Sequence, residues 1–366
     1  MTHIPFLDLR SVVSASRNDL IECATRVIDS GWFVLGKEVD AFEESYSAYC
    51  QTNHCVGVAN GLDALVLALR AMGVRPGDEV IVPSNTYIAT WLAASQIGAT
   101  PVPVEPDPAT YNLDAARLES AITSRTKVIL PVHLYGQPAD LSPMREIAER
   151  HGLRILEDGA QAHGARYRGE RLGCGSAIVA WSFYPGKNLG ALGDGGAVTC
   201  SDPSLARSIS TLRNYGSQVK YHNEVIGFNS RLDEIQAAFL QVKLAKLDAE
   251  NQRRRNIAAL YLAGMQNLGI SLPFVPDWAE PVWHLFVIRH PDRDAFSQRL
   301  LDAGIGTVIH YPIPPHRQPA YADLGYCEGA FPISEAMHRE VLSLPMGPSM
   351  TDEEVERVIE AVCRLA

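Results

Sequence analysis

The sequence predicts an α/β protein. Residues 1–248 form a large domain with a mostly parallel sheet flanked by helices, and residues 249–366 form a smaller C-terminal α+β domain. Three observations lead there. Between about residues 55 and 200, short β-rich runs alternate with helical runs, the pattern of βα units. Past residue 248 that alternation gives way to separate strands, helices and a proline-rich loop. The chain, 366 residues and 46% hydrophobic, is also larger than one core usually organises.

In chain order, RNDLIECATRVID (17–29) spaces Leu20, Ile21, Ala24, Val27 and Ile28 as one helical face, closed by Ser30-Gly31. CVGVA reads as a strand, followed by the helix LDALVLALRAM closed by Gly73. Strand EVIVP precedes a helix through TWLAASQ, and KVILPVHL precedes the helix PMREIAERHG. LRILED, IVAWSF and GAVTC complete the strands. LDEIQAAFLQVKLAKLDAENQRRR reads as one long helix with Ile235, Ala238, Phe239 and Val242 on a face, and its basic end marks the domain boundary. Beyond it come strand HLFVIRH, helix DAFSQRLLDAG, strand TVIHY, the loop YPIPPHRQPAY, and a last helix opened by Thr351 with Glu354 in capping-box register. The N-terminal segment is free to pack on the small domain.

Charge narrows the partners. Lys and Arg number 32 against 42 Asp and Glu, so no basic face is available for nucleic acid or an anionic membrane. No apolar run approaches a membrane span, and MTHIPFLDLR has an acid where a signal peptide would be apolar, so a cytoplasmic location is expected. Seven scattered cysteines without C-x-x-C suggest neither disulfides nor a thiolate metal site.

Ligands of such sheets collect at the carboxyl ends of strands, and four clusters lie there. Asn60-Gly61-Leu62-Asp63 is either a capped βα turn or a phosphate cradle at a helix N-terminus. In Glu157-Asp158-Gly159-Ala160-Gln161-Ala162-His163 the strand-end carboxylate is either a helix cap or the partner of a buried cation or protonated ring nitrogen. Ser182-Phe183-Tyr184-Pro185-Gly186-Lys187 opens a glycine-rich stretch with a single lysine, a candidate Schiff-base amine because burial frees it of its proton. A phosphate-loop lysine would need Gly at 181 and Ser or Thr at 188, where Trp181 and Asn188 stand. Gly227-Phe228-Asn229-Ser230-Arg231 leads into the long helix and by composition is only a helix start.

Taken together, NGLDAL, P-x-N-T-Y-I-A-T, EDGAQAHGA, SFYPGKNLGALGDGG and GFNSRLDEIQAA resemble, in order and spacing, the pyridoxal-phosphate-dependent nucleotide-sugar aminotransferases of the DegT/DnrJ group, which have the fold-type I architecture. The resemblance runs from FLDLR to the loop near 310–318. It implies pyridoxal 5'-phosphate as cofactor, with Lys187 as its Schiff-base lysine and proton shuttle and Asp158 on the pyridine nitrogen. Gln161 then partners the phenolic oxygen and Tyr87 stacks on the ring. Ser182 and the amides of Gly61 and Leu62 hold the phosphate, with Asn229 contributed by a neighbouring subunit of a homodimer. The resemblance places His163 near the sugar as a catalytic candidate, a packed structural histidine being the alternative. Tyr184, Tyr311 and His316 would border the nucleotide-sugar pocket, and Tyr215, Lys220 and Tyr221 either face the diphosphate or form a solvated loop. His310 and His316, six apart among prolines without a third ligand, suggest no metal.

The implied reaction moves an amino group from L-glutamate, leaving 2-oxoglutarate, to a nucleotide-linked keto sugar in deoxyamino-sugar (O-antigen or other glycan) biosynthesis. Asn188-Leu189-Gly190 after the lysine and IPPHRQ at 313–318 resemble the members acting on dTDP-3-keto-6-deoxyhexoses. A UDP-linked 3-keto uronic acid or a 4-keto sugar is the alternative. Two rivals stay open: a non-catalytic relative, against which Lys187 stands, and a nicotinamide dehydrogenase. For the latter, Gly57-Val58-Ala59-Asn60-Gly61 has G-x-x-x-G rather than G-x-G-x-x-G.

Overall fold

A computed structural model describes residues 3–175 and 177–366. The helices are α1 (Leu9–Ser14), α2 (Arg17–Ser30), α3 (Lys37–Cys50), α4 (Gly61–Ala71), α5 (Ile88–Gln96), α6 (Leu141–His151), α7 (Pro203–Arg213), α8 (Glu234–Leu244), α9 (Leu247–Gly264), α10 (Arg293–Asp302), α11 (Pro332–Glu340) and α12 (Asp352–Leu365). The strands of the first half are β1 (His54–Val58), β2 (Glu79–Pro83), β3 (Thr100–Val104), β4 (Thr126–Ile129), β5 (Arg154–Ile155), β6 (Glu157–Asp158), β7 (Arg166–Tyr167), β8 (Glu170–Arg171), β9 (Val179–Ser182) and β10 (Gly196–Cys200). The remainder are β11 (Ser217–Val219), β12 (His222–Asn223), β13 (Ala279–Glu280), β14 (Phe286–Arg289) and β15 (Val341–Leu344).

Two four-stranded ladders, β3-β2-β4-β5 and β1-β10-β9-β6, make up the central sheet. They join where Val132 pairs with Asp158 in parallel, so that β5 and β6 share one line of chain. Every pairing is parallel except the two made by β10, which is antiparallel to β9 and β1. The carboxyl ends of β1, β2, β4, β6 and β9 therefore share one edge. Strands of this kind are covered on both faces, as their continuous apolar runs require: Val80, Ile81 and Val82 are wholly buried. On one face α4 buries Ala64 through Leu69 without a polar stripe. On the other, Val39, Phe42 and Tyr46 of α3 pack with Trp181, Phe183 and Leu240.

A third cluster takes Ile257, Ala258 and Tyr261 of α9 with Phe286, Phe296, Leu342 and Val358, and Ile4 joins it through pairing with Ile305. The chain passes into this cluster along α9, so the division expected after residue 248 falls inside a helix. The long helix expected from residue 232 onward is two helices, broken at Ala245-Lys246 without Gly or Pro. The break lets α8 pack against α2 and α3 while α9 serves the third cluster. TVIHY is likewise no strand: only Val308 bridges to Ser343, because the next residues run into prolines and the His310 carbonyl accepts from Tyr135 Oη at 2.6 Å. The last helix carries the expected capping box. No described helix is long and apolar enough to cross a membrane.

The turn after β9 carries Lys187, and its shape depends on Gly190. A Cβ there would lie 2.5 Å from the Pro185 carbonyl oxygen, and the Gly190 carbonyl accepts from the buried Lys243 ammonium. Gly190→Ala should force this turn open, lowering stability by about 1–3 kcal/mol, the usual result of overpacking. Urea unfolding checks this: the midpoint should fall at unchanged slope.

Candidate active site

The turn from Tyr184 to Ala191 is closed by Lys187 N donating to Tyr184 O at 2.8 Å and Ala191 N to Phe183 O at 2.8 Å. It leaves the half-buried Lys187 side chain at the sheet edge with no hydrogen bond or ion pair among the described residues. Desolvation lowers its ammonium from the ordinary lysine range to about 8, with the Asp158 charge opposing.

Asp158 lies at the end of β6, in the middle of the sheet, and is 6% exposed. Its carboxylate accepts from Thr90 Oγ1 at 3.0 Å and Ala160 N at 3.1 Å, both neutral donors. Burial raises its pKa, and the Ala160 and Thr90 hydrogen bonds, followed by Lys187 and His133, only partly offset this. A buried carboxylate without a bonded cation is an open valence. Gln161 is held beside it: Oε1 accepts from Tyr135 N at 2.6 Å, and Nε2 donates to Tyr311 Oη at 3.1 Å, leaving one amide hydrogen free. The Tyr87 ring, half exposed at the start of α5, lies 5.1 Å from that of Tyr311.

At the end of β1 the Asn60 side chain caps α4, accepting from Asp63 N at 2.9 Å, while the amides of Gly61 and Leu62 have no acceptor among the described residues. A Cβ on Gly61 would lie 2.5 Å from Ser182 Cβ, so the helix N-terminus and the Ser182 hydroxyl meet. Two amides, a hydroxyl and the positive end of a helix form an anion cradle. Ser230 Oγ accepts from Ala59 N at 3.2 Å, which brings the 227–231 loop alongside; Asn229 itself is exposed and its side chain has no partner among the described residues.

His163 is wholly buried between Trp181 and Phe183, with neither ring nitrogen hydrogen-bonded. Burial first, then the Lys187 charge, lowers it to about 3. It is thus a neutral ring at neutral pH, near the lysine but enclosed. His316 is not brought to the cluster: it is 2% exposed and its Nε2 lies 3.0 Å from Glu335 in the core of its own loop, a closed pair rather than a pocket wall. Tyr184 is exposed next to the lysine turn. Tyr215, under the Arg231 guanidinium, and Lys220 with Tyr221 form the exposed β11–β12 hairpin, without a bond to Lys187 or Asp158.

Three residues near the cluster were given no role in the motif reading: Thr90, Tyr135 and His284; His310 was weighed only as a metal ligand. Thr90 is the last residue of the P-x-N-T-Y-I-A-T motif, and its place one helical turn after Thr86 on a buried helix face was the available signal. Tyr135 and His284 arrive through long-range packing and carry no local mark.

The donor set fits pyridoxal phosphate. The cradle suits a dianion, the cation-free Asp158 a protonated ring nitrogen, the free Gln161 hydrogen a phenolic oxygen, and the unpaired Lys187 amine an aldehyde.

Comparison with known proteins gives the same picture. The chain matches the DegT/DnrJ/EryC1/StrS aminotransferase family over residues 15–363. It is 56% identical over 357 residues, 97% of this chain and 98% of the relative, to the erythromycin biosynthesis sensory transduction protein EryC1 of Saccharopolyspora erythraea. It is 55% identical over 361 residues, 99% of each chain, to the dTDP-3-amino-3,6-dideoxy-alpha-D-galactopyranose transaminase of Aneurinibacillus thermoaerophilus. The structure of S. venezuelae DesV in complex with a ketimine intermediate superposes with a TM-score of 0.99 at 54% identity, covering 100% of this chain and 98% of that one.

Asp158→Asn should still take up cofactor but lose about 10²–10³ in kcat, the usual loss on removing one charged stabiliser, as measured in steady-state turnover. Lys187 should react with a small aldehyde in the full-length, cofactor-free protein at a rate rising through about pH 8, because its lowered pKa leaves the amine neutral above that point. The same profile in Lys187→Ala should be flat.

Proposed function

The chain belongs to the DegT/DnrJ/EryC1/StrS aminotransferase family, a pyridoxal-phosphate-dependent transaminase of fold type I, and we propose that it aminates carbon three of a dTDP-linked 3-keto-6-deoxyhexose with L-glutamate as donor. The observation that carries this reading is the pairing of an unbonded Lys187 amine with a cation-free, buried Asp158 beside an anion cradle. The dTDP 3-amino-sugar named for the Aneurinibacillus relative supports the choice of substrate.

When bound, the cofactor supplies an aldehyde carbon and a ring that draws off negative charge. Lys187 Nζ, with its weakened hold on a proton, would accept one from the α-carbon of glutamate and return it on the far side of the transferred nitrogen, at the carbon that was the cofactor's aldehyde. The order reverses with the sugar: Lys187 delivers the proton to the sugar carbon that gains nitrogen. Asp158 holds the ring nitrogen's proton in place, because its buried carboxylate gains most from a cationic partner. Gln161 orients the ring through its remaining amide hydrogen, and the α4 amides with Ser182 anchor the phosphate. Tyr87 covers the ring face and Tyr311 the sugar side. One nitrogen moves from glutamate to the sugar, and one carbonyl oxygen is lost from the sugar and gained by the acid, so glutamate and keto sugar become 2-oxoglutarate and amino sugar. We place the enzyme in the cytoplasm, in the biosynthesis of a deoxyamino sugar for O-antigen or another glycan.

The test is a panel of dTDP- and UDP-linked 3-keto and 4-keto sugars with glutamate, read by mass spectrometry. The dTDP-3-keto-6-deoxyhexose should be turned over with the highest kcat/KM. Preference for a UDP-linked 3-keto uronic acid or for a 4-keto sugar would replace the substrate assignment, and no turnover in the presence of bound cofactor would leave a binding protein.

We further propose that the active unit is a homodimer in which Asn229 completes the neighbour's phosphate site, the exposed and unpartnered state of its side chain in the single chain being the motive. Lys187→Ala and Asn229→Asp should each be poorly active alone. After subunit exchange, random pairing makes half the dimers mixed with one intact site each, so about a quarter of wild-type activity should return. Lys187→Ala mixed with Asp158→Asn should recover nothing, both residues lying on one chain's side of the site.

A further inference from the structure

Asp158 is fixed along its backbone by the chain beside it: its N donates to the Pro131 carbonyl at 2.9 Å, and its own carbonyl accepts from His133 N at 3.0 Å. The side chain is still able to turn about χ1 and χ2, and two hydrogen bonds govern that rotation. Ala160 N, from the same turn, reaches Oδ1 at 3.1 Å. Thr90 Oγ1, from α5 and 68 positions away in sequence, reaches Oδ2 at 3.0 Å. One donor on each oxygen sets the plane of the carboxylate, and Thr90 is the only donor that another element supplies among the described residues. The direction of the bonds follows from chemistry. An ionised carboxylate has no hydrogen to give, so the Thr90 hydroxyl directs its single hydrogen at Asp158. Thr86 Oγ1 lies 2.9 Å from Thr90 Oγ1, and with that hydrogen committed Thr86 must be the donor. The result is a one-way chain from Thr86 through Thr90 to Asp158, buried along its length.

The chain is mounted on a rigid element. α5 begins just after Tyr87, whose carbonyl accepts from Thr90 N at 3.3 Å. The next residue, Trp91, is wholly buried, and its Nε1 donates to the Pro83 carbonyl at 2.9 Å, which pins the helix to the end of β2. Trp91, Ala93 and Ala94 pack into the core behind it. Thr86 and Thr90 are four positions apart, close to one helical turn, and Tyr87 between them carries the half-exposed ring. A single turn of backbone thus holds both that aromatic ring and the hydroxyl chain that ends on the carboxylate. The charged and titratable groups that bear on Asp158 are Lys187, from the turn after β9, and His133, from the segment after β4. Neither is hydrogen-bonded to the carboxylate among the described residues, so its orientation falls to Thr90 and Ala160.

We infer that Thr90 is a positioning residue for Asp158, with Thr86 holding its hydroxyl in line: the bond to Oδ2 keeps the carboxylate in the orientation it presents to the cofactor's ring nitrogen. This rests on Asp158 being the ring-nitrogen partner in the proposed transamination. The same bond favours the charged carboxylate, so its loss leaves Asp158 both freer to rotate and harder to ionise. Two substitutions separate the hydrogen bond from packing. Thr90→Val has nearly the shape of threonine and lacks the hydroxyl. Thr90→Ser keeps the hydroxyl and lacks the methyl group.

Thr90→Val should lose about tenfold in kcat with KM little changed, the scale of one hydrogen bond to a charged group, and Thr90→Ser should keep most of the rate. The second readout needs neither cofactor nor sugar. In full-length, cofactor-free protein labelled with carbon-13 at the aspartate carboxyls, the signal that Asp158→Asn removes belongs to Asp158. Its titration midpoint should lie at higher pH in Thr90→Val than in wild type, because a lost donor no longer favours the carboxylate, and should stay near wild type in Thr90→Ser. Both quantities must move in the valine variant: an unchanged rate or an unchanged midpoint overturns the inference. An equal loss in the serine variant overturns it too, since the methyl's packing would then be the cause. If the valine variant does not fold, Thr90→Ala compared with Thr90→Ser isolates the same hydroxyl and is judged by the same two readouts. Asp158→Asn also guards the premise. Wild-type turnover in that variant contradicts the role given to Asp158 in the transamination reading, whereas a slow Asp158→Asn beside a fully active Thr90→Val contradicts only this inference.

Discussion

The site depends on a carboxylate that the chain itself does not neutralise. Asp158 is buried at the end of β6 with only a threonine hydroxyl and a backbone amide as donors, and the nearest lysine makes no ion pair with it. An isolated buried charge costs several kcal/mol unless something pairs it. Evolution normally removes such a group or supplies an arginine. In the function proposed above, a ligand's cationic nitrogen would fill the opening, so that cofactor binding would relieve a destabilisation built into the fold.

Around that constraint the sheet does the positioning. Asp158, Ser182 and the Asn60 turn all follow strands whose carboxyl ends share an edge, and β10 alone runs against them. The reversal matters because β10 places Gly196 against Asn60, close enough that a Cβ would sit 2.4 Å from its carbonyl. The lysine turn and the anion cradle are therefore braced by one strand pair. The Asn251–Asn188–His284 network then ties the lysine turn to the segment leading into β14, so the backbone of that turn is held from both parts of the chain.

Much of this was legible in the sequence, and the reason is physical. Buried parallel strands must be short apolar runs, so their ends, and the residues just past them, are marked: Gly61, Asp158, Ser182 and Lys187 could all be read. Capping chemistry is equally local, as Thr351 and Glu354 show. What could not be read depends on packing between distant segments. The break after Leu244 has no glycine or proline: α8 packs Ala238 and Phe239 with α2, and Ala237 and Leu240 in a cluster that includes Leu247, whereas α9 from Ile257 onward serves the third cluster. His316 looked like a pocket residue from its loop, but Glu335, nineteen positions away, encloses it. Tyr135 and His284 reach the cluster through tertiary contacts for which a single sequence holds no pattern.

The protonation state of the bound ring nitrogen is the most direct measure of what Asp158 is for. Nitrogen-15 NMR of the enzyme reconstituted with cofactor labelled at that nitrogen should show a protonated ring in the wild type at neutral pH and an unprotonated one in Asp158→Asn. A neutral nitrogen in the wild type, or a protonated one in the variant, would contradict the account and leave Asp158 only as the acceptor of the Thr90 hydroxyl and the Ala160 amide.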